Sequence, residues 1–232
     1  MRLEVRGLKG KELRILQDKA AQKNGTFVDR ILNACTESVV DPGPYSPKDT
    51  ADGKIVWDSV LLGDKFFTLI AVRSATFGPE YSFKSQCGEC RHRFEWALDL
   101  DALPVKPLAS EDAASFRAGE SLVATLKDGR SVKFRLPLGK DEREAARNKT
   151  AENALVAMMS LRIVELDGST DRSKIRAYLE DASLSDLTSI LKEFDRRDCG
   201  IETEIEVECD ECGAIREVAL PLDRGFWLPI SA

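Results

Sequence analysis

Two pairs of cysteines are the residues of this chain whose type and spacing could do chemistry. They stand in the segments Cys87-Gly-Glu-Cys90 and Cys209-Asp-Glu-Cys212. A Cys-x-x-Cys turn presents two thiolates to one side of a metal ion, and a structural zinc ion takes four such ligands in a tetrahedron. We therefore predict one structural Zn²⁺ held by Cys87, Cys90, Cys209 and Cys212. Four protein ligands leave no position for water or substrate, so this site is expected to stabilise the fold and not to catalyse a reaction.

The two cysteine pairs lie within an internal repeat. When residues 87–101 are shifted by 122 positions, eight of fifteen match residues 209–223. Segments of alternating apolar and polar residues enter and leave each pair, and such alternation is typical of half-exposed strands. We interpret each copy as a zinc-knuckle hairpin. The two hairpins are expected to face each other across one ion, as a zinc ribbon assembled from distant parts of the chain.

The sequence leaves other uses of these thiols open. A redox pair would need its first cysteine at a helix N-terminus, whereas strands are predicted to follow both pairs. Zinc shared between two chains is a further alternative. His92, the single histidine, is interpreted as an exposed strand residue because four thiolates already complete the site. Cys35 is expected to be buried on an apolar helical face, and Cys199 has no assigned role.

The composition excludes several classes of protein. The chain has 232 residues, 34 Lys or Arg against 40 Asp or Glu, a net charge of −6 and 43% hydrophobic residues. That apolar content supports a folded core, and the acidic balance disfavours a protein whose main partner is nucleic acid. No apolar run approaches the ~18 residues of a membrane span, and residues 1–6 lack the apolar core of a signal peptide. We expect a protein that is made and kept in a reducing cytoplasm.

The sequence contains no recognisable arrangement of catalytic residues. It lacks a Gly-rich phosphate loop, a serine nucleophile elbow and an H-E-x-x-H motif. Asp58 and Asp64 lie in a segment that is expected to be buried. Both are predicted to cap a helix or to form an ion pair with Arg73. We therefore predict that the protein is not an enzyme.

Apolar periodicity predicts an α+β fold, a helical body with short antiparallel strands pinned by the four-cysteine site. The predicted elements are a strand over 1–6, helices over 11–23 and 26–35, a core helix over 57–77 that is apolar nearly all round, a hairpin over 122–136 with its turn at Asp128-Gly129, a helix from Ala151 to Leu161, and a helix with a break near Ser183. Gly63 inside the core helix suggests close packing or a kink there. Residues 41–53 and 104–119 are expected to be loops.

Four parts of the chain follow from these elements. They are 1–40 with the N-terminal strand and helices, 54–137 with the core helix, first knuckle and hairpin, 138–198 as a helical insertion, and 199–232 with the second knuckle and tail. Since the insertion lies between the two halves of one metal site, it cannot be a domain on a free tether.

Three surface features could contact partners. A basic cluster near the N-terminus could touch an acidic partner or form only a solvated face; it comprises Lys9, Lys11, Arg14, Lys19 and Lys23. The terminal Phe226-Trp227 could dock on another protein or fold back. A zinc ribbon with basic and aromatic residues can bind nucleic acid. The first knuckle carries such residues, namely Lys84, Arg91, His92, Arg93, Phe94 and Trp96, whereas the second knuckle is mostly acidic.

The order of several motifs resembles a known family. The motifs are Leu61-Leu62-Gly63-Asp64, Arg73, Phe77-Gly78-Pro79-Glu80-Tyr81, the first cysteine pair, Asp128-Gly129-Arg130, Arg135-Leu136-Pro137, the second cysteine pair and the terminal Phe226-Trp227. Together they resemble the T4-type bacteriophage baseplate proteins of contractile-tailed phages and prophages, from about residue 50 to the end. Arg91 departs from the family pattern, which often has glycine directly after the second cysteine. The resemblance does not place residues 1–40.

The resemblance implies a protein of the phage tail, located in the virion baseplate after assembly in the host cytoplasm. Its partners would be other tail and baseplate proteins, with no small-molecule substrate and no membrane. The expectation is a zinc-stabilised structural component of the baseplate hub or its surroundings. An assembly chaperone that is not retained in the virion is the alternative within the family. A zinc-ribbon nucleic-acid-binding module is the alternative from another class.

Overall fold

The computed structural model describes residues 1–50, 54–126, 129–148, 154–222 and 224–228. Within these ranges the fold is α+β, in which helices form the body and short antiparallel strands pair in small separate sheets. The predicted fold class is confirmed, and the two distant cysteine pairs meet in one cluster. In this part of the chain, no helix has both the length and the apolar character needed to cross a membrane.

The N-terminal part combines a two-stranded sheet with three short helices. In chain order its elements are β1 (Arg2–Val5), α1 (Leu13–Leu16), α2 (Lys19–Lys23), α3 (Phe27–Cys35) and β2 (Thr36–Asp41), with β1 antiparallel to β2. The single helix predicted over 11–23 is wrong. Asp18 divides it, because its side chain accepts a hydrogen bond from the Ala21 N–H at 3.0 Å and so caps the start of α2.

Helix α4 (Leu62–Phe77) runs through the body. It begins at Leu62 and not at the predicted Trp57, because Trp57–Ser59 forms a separate 3-10 turn. The indole N–H of Trp57 donates to the Asn33 side chain at 3.2 Å, which holds this buried turn against α3. The helix is not buried all round as predicted, since Phe67 is 47% exposed.

Gly63 lies where α4 crosses β9 (Gly200–Ile201). A Cβ atom on Gly63 would lie 2.1 Å from the carbonyl oxygen of Cys199, far inside any van der Waals contact. The predicted close packing at Gly63 is therefore confirmed. The absence of a side chain allows the segment that leads to the second cysteine pair to lie directly on α4.

A three-stranded antiparallel sheet follows the first knuckle. Its strands are β6 (Leu122–Thr125), β7 (Ser131–Phe134) and β8 (Ile163–Leu166), in that spatial order. The predicted hairpin is confirmed by β6 and β7, although Asp128 of its turn lies outside the described residues. Strand β8 is missing from the sequence prediction, because the helical stripe before it hides a four-residue strand. The start of that stripe, Ala151, also lies outside the described residues.

One predicted loop contains a helix. Helix α5 (Ser110–Ala118) lies inside the segment 104–119, so the loop expectation is wrong there. Local signals explain the helix: Glu111 and Asp112 stand in its first turn, and Gly119 ends it with a left-handed φ of 72°. Asp112 is buried and forms an ion pair with Arg197, so tertiary packing supplies further stabilisation.

The remaining elements complete the helical insertion and the C-terminal part. They are β5 (Val105–Lys106), α6 (Gly139–Asn148), α7 (Ala154–Arg162), α8 (Arg172–Asp181), α9 (Leu184–Arg197), β10 (Glu204–Glu208), β11 (Ile215–Ala219) and α10 (Arg224–Trp227). The predicted break near Ser183 is confirmed, since the Ser183 hydroxyl accepts from the Asp186 N–H at 3.1 Å and caps α9. Strand β5 pairs with β9 and ties the two cysteine-bearing regions together.

One hydrophobic core connects the parts of the chain. Ile31, Val72, Phe134, Ile175 and Phe226 are all fully buried and belong to the same cluster. Each of the four predicted parts contributes to it. The parts therefore share a core, and their boundaries stay a prediction.

Candidate metal centre

Two hairpins of identical register carry the cysteine pairs. Strands β3 (Glu80–Gln86) and β4 (Arg93–Asp99) form the first, and β10 and β11 form the second. Lys84 pairs with Glu95 in the first hairpin, and Glu206 pairs with Glu217 in the second. Both members of the second pair lie 122 positions after their counterparts. The repeat in the sequence is therefore a repeat in strand pairing.

The turns of the two hairpins also share a backbone conformation. The Cys87 N–H donates to the His92 carbonyl oxygen at 2.9 Å, and the Cys209 N–H donates to the Ala214 carbonyl oxygen at 3.0 Å. The residue after the second cysteine is left-handed in both turns, with φ 62° at Arg91 and 68° at Gly213. Arg91 thus adopts the conformation that usually favours glycine. Its departure from the family pattern leaves the turn unchanged.

The four sulfur atoms lie within 4.8 Å of one another. The Cys87 Sγ is 3.6 Å from the Cys212 Sγ, and the Cys90 Sγ is 3.7 Å from the Cys209 Sγ. A tetrahedral ion with metal–sulfur distances of about 2.3 Å requires sulfur atoms about 3.8 Å apart. The spacing of these thiols fits such an ion, so the cluster could bind a metal.

Burial differs in the same way within each pair. The first cysteine of each turn, Cys87 or Cys209, is buried, whereas the second, Cys90 or Cys212, is exposed. Phe94 and Val207 cover the buried pair in a small hydrophobic cluster that is separate from the main core. This packing holds the hairpins together on one side, while the exposed thiols close the site from the solvent side.

The backbone of the first turn favours a thiolate at Cys87. The N–H groups of Cys90 and Glu89 donate toward the Cys87 sulfur and lower its pKa to about 6. The Glu89 nitrogen lies 3.4 Å from that sulfur. Since metal ligation requires the deprotonated thiol, this lowered pKa suits the Cys87 sulfur to bind a cation.

His92 and the two unpaired cysteines lie outside the sulfur cluster. The His92 Nε2 is 3.1 Å from the Asp210 carboxylate, and the Arg216 guanidinium donates to the Ser85 hydroxyl at 2.7 Å. Both contacts join one hairpin to the other. Cys35 is buried in the main core, as predicted.

Cys199 lies beside α4, outside the sulfur cluster although only ten positions before Cys209. Burial raises the pKa of its thiol to about 12. A protonated, largely buried thiol is a poor nucleophile, and the Cys199 sulfur is not among the four that lie together. Cys199 therefore serves as a matched control for substitutions in the four-cysteine cluster.

Arg73 fastens the hairpins to the body, a role that the sequence did not predict. Its guanidinium is buried and donates to the Phe226 carbonyl oxygen at 2.8 Å and to the Gly78 carbonyl oxygen at 3.0 Å. Tyr81 at the start of β3 donates its hydroxyl to the Pro221 carbonyl oxygen at 2.7 Å. These hydrogen bonds connect the start of the first hairpin with the segment that follows the second hairpin.

The expected ion pairs of Arg73 with Asp58 and Asp64 are wrong. Asp58 is bound by Arg143, and Asp64 accepts a hydrogen bond from the Tyr45 hydroxyl at 2.6 Å. The acceptors of Arg73 are backbone carbonyl oxygens. Every chain carries such groups at every residue, so no charge pattern in the sequence could identify these two.

The C-terminal aromatic pair folds back onto the body. Phe226 and Trp227 are both buried, and the Phe226 ring lies edge-on to Tyr81 with ring centroids 5.3 Å apart. Of the two alternatives for this pair, folding back onto the body is the one that its burial supports. Residues 229–232, which follow it, lie outside the described residues.

Comparison with known proteins gives one match. The comparison with curated proteins found none, and neither did the comparison with solved structures. The family model described as T4 bacteriophage base plate protein matches residues 8–221. That match covers most of the chain and includes both cysteine pairs, so the resemblance seen in the motifs is confirmed. The chain belongs to the T4 bacteriophage base plate protein family.

Proposed function

We propose that the chain is a non-catalytic structural component of a contractile phage tail baseplate, in the hub or bound to it, and that one zinc ion stabilises it. Membership of the baseplate family carries the first half of this proposal. The clustering of Cys87, Cys90, Cys209 and Cys212 within 4.8 Å carries the second. The chain would reside in the virion tail after assembly in the host cytoplasm, and its partners would be other tail proteins.

The chemistry of the four ligands favours zinc. A tetrahedral set of four thiolates suits Zn²⁺ or an iron–sulfur centre, and hard cations such as Mg²⁺ prefer oxygen ligands. Buried Cys87 and Cys209 alternate with exposed Cys90 and Cys212 around a space with room for a single ion. A closed site of this kind supplies folding free energy and leaves no position for a substrate.

The fold explains why such an ion would be needed. Each hairpin is a sheet of only two strands, and a two-stranded hairpin alone is marginally stable. The small cluster around Phe94 and Val207 is the main apolar contact between them. Structural zinc contributes on the order of 10 kcal/mol in small metal domains. The ion would therefore make the paired hairpins a rigid projection of the body, suited to contacts with neighbouring proteins.

The four-part division of the chain gives the ion a second consequence. Residues 138–198 lie between the two halves of the proposed site, so zinc would close the long loop that contains this helical insertion. The pairing of β5 with β9 also joins the chain before the insertion to the chain after it. We propose that the insertion keeps a fixed orientation relative to the hairpins during tail assembly.

Two alternative functions predict different behaviour. An assembly chaperone would use the same fold but leave before the particle is complete. A nucleic-acid module would stack bases on exposed aromatic rings, whereas Phe94 is buried and Trp96 packs beside it between the hairpins. That placement disfavours nucleic acid as the partner of the first knuckle.

A phage with a stop codon in this gene tests the proposal. Cells without a suppressor are expected to produce no complete contractile tails, and a plasmid copy of the wild-type chain should restore them. A copy with Cys90→Ser and Cys212→Ser together should fail, while Cys199→Ser should succeed. Infectious particles with normal tails in the absence of the chain would contradict a baseplate role. Fluorescence anisotropy with DNA at low salt should show no binding.

A further inference from the structure

An apolar groove lies between the N-terminal helices and the C-terminal segment, on a part of the chain that the four-cysteine site does not use. Its volume is about 480 Å³, within the range of ordinary ligand sites. The apolar floor is formed by Leu16, Phe27, Leu222, Trp227 and Leu228. Leu13, three residues before Leu16 in α1, is a large apolar side chain that is 42% exposed.

The rim of the groove is polar and positively charged. Gln17, Lys19 and Gln22 line it, and no acidic residue is among the lining residues that the structure describes. Lys23 follows Lys19 by one turn of α2, so both lysines lie on the same side of the helix. In the described ranges, neither lysine has a carboxylate within ion-pair distance.

Residues 1–30, which contain α1 and α2, carry a net positive charge, whereas the whole chain is negative. Residues 1–30 contain eight Lys or Arg and four Asp or Glu, whereas the net charge of the protein is −6. Asp18, the acidic residue next to the rim, is neutralised by Arg30 at 2.6 Å. Lys19 and Lys23 thus remain available to an anionic partner.

The apolar floor and the basic rim together define the occupant. On the basis of the proposed baseplate role, we propose that this groove binds an acidic amphipathic segment of another tail protein, with apolar side chains on the floor and carboxylates toward Lys19 and Lys23. Amphipathic segments bind grooves of this type through regularly spaced apolar anchors. Charges at the rim select the partner and speed its association.

A second copy of this chain fits the groove less well. Its acidic hairpin has Glu206 and Glu217 on its outer face, so it would satisfy the basic rim. Among the described residues of that hairpin, however, the large exposed apolar side chain is Ile215 alone, at 65% exposure. One side chain cannot cover a floor made by five apolar residues, so the partner must supply a longer apolar stripe.

Site-specific photo-crosslinking tests the inference in assembling tails. The photoreactive residue p-benzoylphenylalanine replaces Gln22 at the rim, and in a matched control it replaces the exposed Lys192 on α9. After irradiation of infected cells, tail assemblies are purified and the crosslinked peptides are sequenced by mass spectrometry. The expected adduct joins position 22 to a segment of another tail protein that is rich in Asp or Glu and carries regularly spaced apolar residues. The control position should not yield that peptide.

Charge reversal provides the second arm. Lys19→Glu with Lys23→Glu should reduce the yield of the adduct on the order of tenfold, which corresponds to about 1.4 kcal/mol of binding free energy. Lys192→Glu should leave it unchanged, and thermal unfolding should verify that both variants fold. An adduct to a neutral or basic segment, an adduct to a second copy, or an adduct insensitive to charge reversal overturns the inference.

The two proposals fail in different ways. If the chain is present in tail assemblies but position 22 gives no adduct, the groove inference is wrong and the baseplate role stands. If the chain is absent from every tail assembly, the baseplate role itself is wrong, and the groove inference falls with it.

Discussion

The Sγ atom of Cys90 lies 3.7 Å from the Sγ atom of Cys209, although 119 positions separate the two residues in the chain. All of β6 to β8 and all of α5 to α9 lie between them. Closing so long a loop costs conformational entropy, and cross-links across long loops remove the most entropy from the unfolded chain. A metal ion at this position would therefore stabilise the folded chain as a whole and not only two turns.

The four-cysteine cluster leads to a prediction about metal content. Cys212→Ser removes one exposed ligand, so the purified protein should contain close to zero zinc by inductively coupled plasma mass spectrometry, against one per chain in the wild type. Its thermal midpoint should fall, because the hairpins lose the ion that joins them. Cys199→Ser, which changes a thiol outside the cluster, should retain both zinc and stability. A Cys212→Ser protein with full metal content and an unchanged midpoint would exclude the four-cysteine site.

The left-handed residues after the second cysteines predict reciprocal effects on stability. Arg91 and Gly213 occupy equivalent positions with φ 62° and 68°. A side chain costs about 1 kcal/mol or more in that conformation. Arg91→Gly should therefore raise the free energy of unfolding of the metal-bound protein by about 1 kcal/mol, and Gly213→Arg should lower it by a similar amount. Chemical denaturation measures both. Equal stability of the two variants would show that the turns are not equivalent.

The crossing of α4 and β9 predicts a cost for a small substitution. Alanine favours a helix over glycine by about 1 kcal/mol, so Gly63→Ala would stabilise an exposed helix. Here the new Cβ would meet the Cys199 carbonyl oxygen at 2.1 Å, and a backbone atom cannot rotate away. We expect a net destabilisation of about 2 kcal/mol, measured by urea denaturation. Gly10→Ala, whose Cβ would have nothing within 4 Å, is the control and should change stability by less than about 0.5 kcal/mol.

If Gly63→Ala proved as stable as the wild type, the second cysteine region would not lie against α4 in solution. The fold would then lack the contact that places β9 and the hairpin after it. The Gly10→Ala control is denatured under the same conditions. Its free energy of unfolding shows whether replacing a glycine with alanine changes stability in general.

The ion pair between half-buried Arg135 and buried Asp141 predicts a pH dependence. The Asp141 carboxylate accepts from Arg135 at 2.6 and 2.8 Å and from the Leu138 N–H at 2.8 Å. Burial alone would raise the pKa of Asp141, but these bonds outweigh it and lower the pKa below its ordinary value. A lowered folded-state pKa contributes stability above the unfolded value of about 3.9 and loses it as the pH falls through the folded value.

Asp141→Asn tests this linkage. The wild type should be more stable than the variant at pH 6–7. The difference should shrink as the pH falls below about 4, because Asp141 takes up a proton in the unfolded chain before it does so in the folded one. Urea denaturation at several pH values measures the difference, with the exposed Asp181→Asn as the baseline variant. Loss of metal at acid pH affects all three proteins equally. A difference that stays constant down to pH 2 would contradict the role assigned to Asp141.

The meeting of the four cysteines was more predictable from the sequence than the rest of the fold. The repeat at an offset of 122 residues predicted two equivalent hairpins with their four cysteines in one place. This was possible because the cysteines repeat together with the strand pattern around them. Helix α5 was missed because prolines precede it. Strand β8 was missed because it directly follows an apolar stripe with helical spacing. The acceptors of Arg73 are main-chain oxygens of Gly78 and Phe226. Contacts of that kind depend on the completed fold and leave no trace in residue types.

Quantitative mass spectrometry of purified, intact phage particles tests the central claim most directly. A structural baseplate component should be present in a small, reproducible number of copies per particle, in fixed ratio to the other tail proteins. Absence from the particles, together with presence in infected cells, would contradict that role and identify the chain as an assembly factor.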